Sequence, residues 1–358
     1  MADNFRQAHP RTPRPTSRKL RLFSFDPSLR SNLSTATINN VTVSIPWETL
    51  EPGPVGEYLE VVDVDPASGL CYPPVWLDDP VLLAQDGLAP SESNPQFHQQ
   101  MVYAVAMLTI RSFERALGRK ALWSPHRGRD SDNKYYEEYV GRLRIYPHAI
   151  RQANAYYHPD KKALLFGYFA ATSRGPEHVV PGSLVFTALS FDIIAHETAH
   201  ALLDGLHRRY TDASNPDVLS FHEAFADVVA LFQHFSFPEV LEHQLRRTRG
   251  DLSSENLLAQ LAHQFGQAQG GHGALRDALG RIDGNGVWRP AQADSRAFEN
   301  TREPHARGAI AVAAVFEAFV NIYRERTSDL FRIASGGTGI LAQGELHPDL
   351  VNRLAREA

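Results

Sequence analysis

The chain has 358 residues, 43% hydrophobic and 22% charged, the balance of a globular protein with room for one to three domains. A net charge of -5 gives no general electrostatic reason to bind nucleic acid or an anionic membrane, so both are discounted as partners. The single cysteine, Cys71, excludes an intrachain disulfide and a thiolate cluster, so any bound metal must use histidine and carboxylate.

Residues 1–20 are polar, carry Pro10, Pro13 and Pro15, and contain no apolar stretch of the secretory kind. They read as a disordered leader, and the location reads as cytoplasmic. Residues 21–205 read as a β-rich mixed lobe. Its first part holds short strands at 41–45 and 58–64, and a lone cysteine such as Cys71 is expected to be buried. Apolar side chains at helical spacing predict a long helix over 99–117, stopped by Gly118. Strands are expected at 143–146, 155–157 and 164–169.

From residue 190 onward the pattern is almost wholly helical, with helices over 190–205, 216–234, 238–247, 253–266 and 309–325. Ser190 is the N-cap of the first and Gly205 its stop. The apolar run 309–320 reads as a core helix, too short to span a bilayer. Glycine-rich stretches at 266–273 and 283–286 read as loops. Residues 206–358 thus form an α-helical C-terminal lobe, and the fold class is α+β.

The chemistry is concentrated in His196-Glu197-Thr198-Ala199-His200, inside the helix over 190–205. Side chains four apart on a helix differ by about 40° in azimuth and about 6 Å in height, so both imidazoles can reach one ion. Glu197 lies about 100° round the helix, beside that ion, where it can take a proton from bound water. A catalytic zinc needs a third protein ligand and an open place, and Glu223 in FHEAFADVVALF supplies the ligand. Ser220 and Glu223 also fit a capping box, but Asn215-Pro216-Asp217 is the better helix start and leaves Glu223 about two turns inside. Asp227, one turn further on, is placed to hold the other nitrogen of His196.

HETAH followed by EAFAD resembles the thermolysin family of zinc metallopeptidases, collinearly over roughly residues 97–323. The resemblance implies a zincin-like two-lobe fold with the zinc helix between a β-rich N-terminal lobe and a helical C-terminal lobe. It also implies one catalytic Zn2+, with His196, His200 and Glu223 as ligands and Glu197 as general base. Asn154 and Ala155 match a pair that holds the substrate strand in that family. Tyr210 and His305 match residues that steady the oxyanion. Asn300 departs from the family's aspartate, so Glu303 or Glu299 would have to orient His305. Asp192 matches a calcium ligand, yet His234 stands where an acidic partner is expected, so calcium is not expected. The implied function is a metalloendopeptidase acting on a peptide or protein substrate. Two alternatives stand beside it: a weakly active or inactive zinc-containing peptide-binding or sensor domain, and a hydrolase dedicated to one peptide.

Overall fold

Residues 15–172, 180–207, 209–269, 275–283, 287–291, 294 and 296–358 are described by the computed structural model. The first 14 residues of the expected leader fall outside them, as do residues 270–273 and 284–286 of the two glycine-rich loops. Regular structure begins sooner than expected. Strand β1 (Ser17–Phe23) takes in four residues assigned above to the leader, which corrects that boundary. Its alternation explains why: Leu20 and Leu22 are buried, while Lys19 faces out. Arg18 is 1% exposed, with its guanidinium paired to Asp78 and 4.4 Å from the Trp47 ring centre. Short helix α1 (Leu33–Ala36) leads into β2 (Asn40–Pro46), which pairs antiparallel with β1.

After β3 (Leu59–Val61) comes the hairpin of β4 (Val64–Asp65) and β5 (Leu70–Cys71). Cys71 ends that small hairpin beside an equally exposed Leu70, so it is exposed, not buried as expected. Short α2 (Pro80–Ala84) precedes α3 (Pro95–Leu117), the longest helix of this half. Asn94 caps it, accepting from Gln96 N at 3.1 Å, Pro95 opens it, and Gly118 closes it at φ 65°. Every residue from Phe97 through Met107 is buried, so α3 is a central helix covered on all faces.

The hairpin β6 (His126–Arg129) and β7 (Tyr135–Glu138) leads to the main sheet. That sheet is built of β3, β8 (Leu143–Ile150), β10 (Ala163–Ala170) and β11 (Leu184–Phe186), in the order β11-β10-β8-β3, with β9 (Ala155–His158) also on β10. The pairs β3–β8 and β8–β10 are parallel, and β9–β10 and β10–β11 antiparallel. Among the described residues β9 pairs only with β10, so its other edge is open.

Helix α4 (Phe191–Leu206) follows Ser190, whose Oγ accepts from Ile193 N at 3.5 Å. Gly205 does not stop it; a Cβ there would run into the carbonyl oxygen of Leu122, so glycine is needed for close approach. Helix α5 (Pro216–His234) starts as expected, with Asn215 accepting from Asp217 N at 2.9 Å. Ser220 donates to Pro216 O at 2.7 Å and takes no part in a capping box. Helix α6 (Pro238–Thr248) comes next.

The helix expected over 253–266 is not formed. Asp251 and Asn256 satisfy nearby backbone groups with their side chains, through Ser253 N at 3.0 Å and Leu252 O and Ser254 O at 3.1 and 2.7 Å. Such local bonds compete with a helical ladder. The segment becomes a turn, then β12 (Gln260–Leu261) and α7 (His263–Ala268), with β12 paired to β13 (Arg276–Asp277). A second hairpin, β14 (Gly280–Ile282) and β15 (Trp288–Pro290), follows, so this half is less helical than expected. Helices α8 (Ala297–Asn300), α9 (Pro304–Ala334) and α10 (Pro348–Glu357) complete the α+β chain.

At 31 residues α9 far exceeds the expected run and is long and apolar enough to cross a membrane by length and composition, which corrects the reading that it is too short. Its inner stripe of Val312, Phe316, Val320 and Tyr323 is buried, and it packs on α5. Phe319 sits 5.2 Å from Phe232 and 5.0 Å from Phe235, ring centre to ring centre.

Candidate metal centre and cleft

The helical pitch of α4 stacks His196 and His200, and α5 crosses alongside to bring up Glu223. The two helices pack against each other, and Ala195 and Ala199 on α4 and Ala226 and Ala230 on α5 are buried. His196 Nε2 lies 3.0 Å from His200 Nε2 and 3.3 Å from Glu223 Oε2, and His200 Nε2 lies 3.6 Å from Glu223 Oε1. A tetrahedral zinc with bonds of about 2.05 Å has ligand atoms about 3.3 Å apart, so the donor set fits such an ion in spacing as well as in kind. Among the described residues Glu223 Oε2 is buried without a hydrogen bond, which also fits an oxygen that would ligate a cation. These three residues form a group able to hold a metal ion.

The second nitrogens are engaged elsewhere. His196 Nδ1 lies 2.8 Å from Asp227 Oδ1, and Arg276 Nη2 donates to the same oxygen at 2.7 Å. His200 Nδ1 lies 2.7 Å from His222 Nδ1. Both rings can therefore carry Nδ1–H and aim Nε2 lone pairs at one point. Burial pulls His196 down, but Asp227 and Glu223 outweigh it and raise the ring to about 10 when no metal is present. Burial would raise Glu223, yet the two imidazoles hold it well below the usual carboxylate range.

Glu197 is 7% exposed, and its Oε2 accepts from Tyr157 N on β9 at 2.9 Å. Burial pushes its carboxyl up to about 7 against the pull of His196. One cleft runs past it in two parts. The larger, about 350 Å3, is bounded by β9, the three cluster residues, Thr211, Leu219 and His305. The smaller, about 110 Å3, is an apolar socket of Ile193, Leu261, Phe265 and Leu275 with Arg276 and Asp227 at its polar side. Asn154 and Ala155 border both parts, and Asn154 Oδ1 accepts from Ala155 N at 3.0 Å.

His305, in the first turn of α9, borders both parts as well, with Nε2 3.3 Å from Glu223 Oε2. Its Nδ1 lies 2.8 Å from Glu303 Oε1, so Glu303 stands where an orienting acid was sought. Tyr210 is not brought to the cleft. It is 41% exposed on the linker, its ring 5.1 Å from that of His207, while its neighbour Thr211 reaches the wall. Asp192 is buried, with Oδ1 2.8 Å from His234 Nε2 and Oδ2 accepting from Ala262 N at 3.0 Å. Oδ2 thus meets a backbone donor, and the His234 ring stands beside Oδ1.

Sequence reasoning passed over His222 and Arg276. His222 had a signal, standing beside Glu223 in FHEAFAD, whereas Arg276 lies in a short hairpin strand with no motif around it. Compared with known proteins, the chain matches no family model and no curated protein. What stands is an α+β chain with a His-His-Glu group that could bind a metal, set in a cleft.

Proposed function

We propose that this chain is a zinc-dependent metalloendopeptidase of the thermolysin-like kind, a β-rich lobe and a helical lobe with α4 between them. The observation that carries this reading is the set of separations among His196, His200 and Glu223, 3.0, 3.3 and 3.6 Å, close to the edges of a zinc tetrahedron. Held by those side chains, zinc would supply Lewis acidity toward a carbonyl and lower the pKa of a water. Glu197 takes the proton of the attacking water and passes it to the leaving amine. A substrate strand adds to the open edge of β9, with Asn154 and Ala155 at its side. The socket of Ile193, Leu261, Phe265 and Leu275 receives one apolar side chain. His305, whose Nδ1 lies against Glu303, presents Nε2 to the oxyanion. Tyr210 takes no part in this mechanism.

Glu197→Gln keeps the shape and removes the base. With zinc content unchanged, cleavage of labelled casein is expected to fall by about 10²–10⁴-fold. A zinc-loaded variant that cleaves at the wild-type rate refutes the proposal. The position of Tyr210 outside the cleft favours a second reading, a metal-containing peptide-binding domain with little turnover. Peptide binding with no chelator-sensitive cleavage by the wild type would select it.

A further inference from the structure

One residue of β9 touches α4 at two places. Tyr157 N donates to Glu197 Oε2 at 2.9 Å, and the Tyr157 hydroxyl donates to Asp204 Oδ2 at 2.7 Å. Glu197 and Asp204 are seven residues apart on α4, which puts them about 20° apart in azimuth and about 10 Å apart in height, on one face of the helix. A tyrosine lying along that face bridges them. Lys162 Nζ donates to the same oxygen, Asp204 Oδ2, at 3.0 Å, and both members of this pair are buried. The lysine gives the buried carboxylate its counter-charge and the tyrosine gives it a further donor, as a buried ion needs. Burial and the adjacent Asp204 hold the Tyr157 hydroxyl well above its usual range, so it stays a donor.

The bond to Glu197 lies outside the sheet. Tyr157 stands opposite Leu164 of β10, and its N–H points to Glu197, away from that ladder. Pairing with β10 therefore places β9 in the sheet without fixing this N–H on Glu197. The anchor at the far end of the side chain supplies what the ladder does not. Lys162 ties the other arm of the hairpin to the same point: it immediately precedes β10 and holds φ at 47°, a strained conformation for a residue with a Cβ. Both arms of the β9–β10 hairpin thus converge on one carboxylate, two turns along α4 from Glu197. We infer that Tyr157 is a positioning residue for Glu197, its hydroxyl anchored on the Asp204–Lys162 pair so that its backbone N–H keeps the Glu197 carboxylate aimed into the cleft. The catalytic consequence rests on the function proposed above, whereas the anchoring does not.

Tyr157→Phe removes the hydroxyl alone and leaves the ion pair in place. Hydrogen exchange of the amide at position 157, followed by NMR in the full chain, is expected to quicken by about 10-fold or more while amides within α4 keep their rates. In the zinc-loaded enzyme kcat is expected to fall by about 5-fold or more, with KM within about 2-fold and zinc content unchanged, because a misplaced base costs the chemical step and not ground-state binding. A purely structural role would quicken exchange along the whole chain and leave kcat per folded molecule as it was. Exchange at position 157 that does not change, acceleration shared by the whole chain, an unchanged kcat in the active enzyme, or a loss confined to KM would each overturn the inference. If the wild type cleaves no peptide, the function proposed above fails, and the exchange rate alone decides whether the hydroxyl of Tyr157 holds its N–H on Glu197.

Discussion

His200 Nδ1 and His222 Nδ1 lie 2.7 Å apart, so one ring carries the proton of that contact and the other its lone pair. For His200 Nε2 to face a cation, His200 must be the donor and His222 the acceptor. Burial and the neighbouring His200 lower His222 to about 4, which keeps its ring neutral and able to accept. His222→Ala removes the acceptor and is expected to weaken zinc binding by about 10–100-fold. His222→Asn, with an amide oxygen in reach, is expected to restore most of it. Competition with a chromophoric chelator reads both, and equal affinities for the wild type and the alanine variant would remove His222 from the site. The cluster itself was legible because helical pitch is fixed: spacing alone puts His196, His200 and Glu197 in relation, and Asn215-Pro216 puts Glu223 inside a helix. The His222 contact depends on how α4 and α5 cross, which spacing does not encode. Tyr210 lies on an irregular linker, where no period carries a register from one sequence to another.

Between elements, the contact of α9 with α5 joins His305 to Glu223. Gly308 packs directly on α5, where a Cβ would lie 2.9 Å from Ser220 O and 3.1 Å from both Ala224 N and Glu223 Cβ. Further along, Phe316 and Phe319 lock onto Phe232 and Phe235. Alanine at 308 gains about 1 kcal/mol of helix propensity over glycine. Crowding two helices whose backbones already touch costs about 1–3 kcal/mol, and the aromatic lock prevents easy sliding. Gly308→Ala is therefore expected to lower stability in urea unfolding and to reduce turnover several-fold by moving His305 from Glu223. A stabilised variant would show that the gap opens freely. Elements with strong periodicity and end signals were read well, α5 at both termini and α3 within four residues. The segment 253–266 misled because its apolar spacing is helical while Asp251 and Asn256 bind the local backbone, and β12 finds its partner in β13, later in the chain. Strand β1 was hidden by its charges, since a buried arginine reads as surface until Asp78 is known to face it.

For the molecule as a whole, response to acid is set in part by a chain of bonds that joins α3, β8 and the segment after β3. His148 Nδ1 lies 2.6 Å from Asp63 Oδ1, His148 Nε2 lies 2.8 Å from His98 Nδ1, and His98 Nε2 lies 3.0 Å from Glu92 O. Gln99 Nε2 donates to the other oxygen of Asp63 at 2.8 Å. Tyr72, Tyr168 and Phe186 close round the two rings. With His98 Nε2–H donating to Glu92 O, His98 Nδ1 is left as the acceptor in the link to His148. A further proton on His98 would set N–H against N–H and break the middle link. Burial, with the adjacent His148, accordingly lowers His98 to about 3. The sign follows by linkage: between the unfolded value near 6.5 and the folded value, the unfolded chain binds a proton that the native protein refuses. The contribution of His98 is fully present above about pH 6.5 and is lost as the pH falls toward 3. Replacing His98 by glutamine should lower stability at neutral pH and flatten the acid limb by as much as one proton, about 1.4 kcal/mol per pH unit. Urea midpoints at half-unit intervals from pH 7 to pH 4 measure the difference, and parallel curves for the two proteins would show that His98 is protonated alike in the folded and unfolded states.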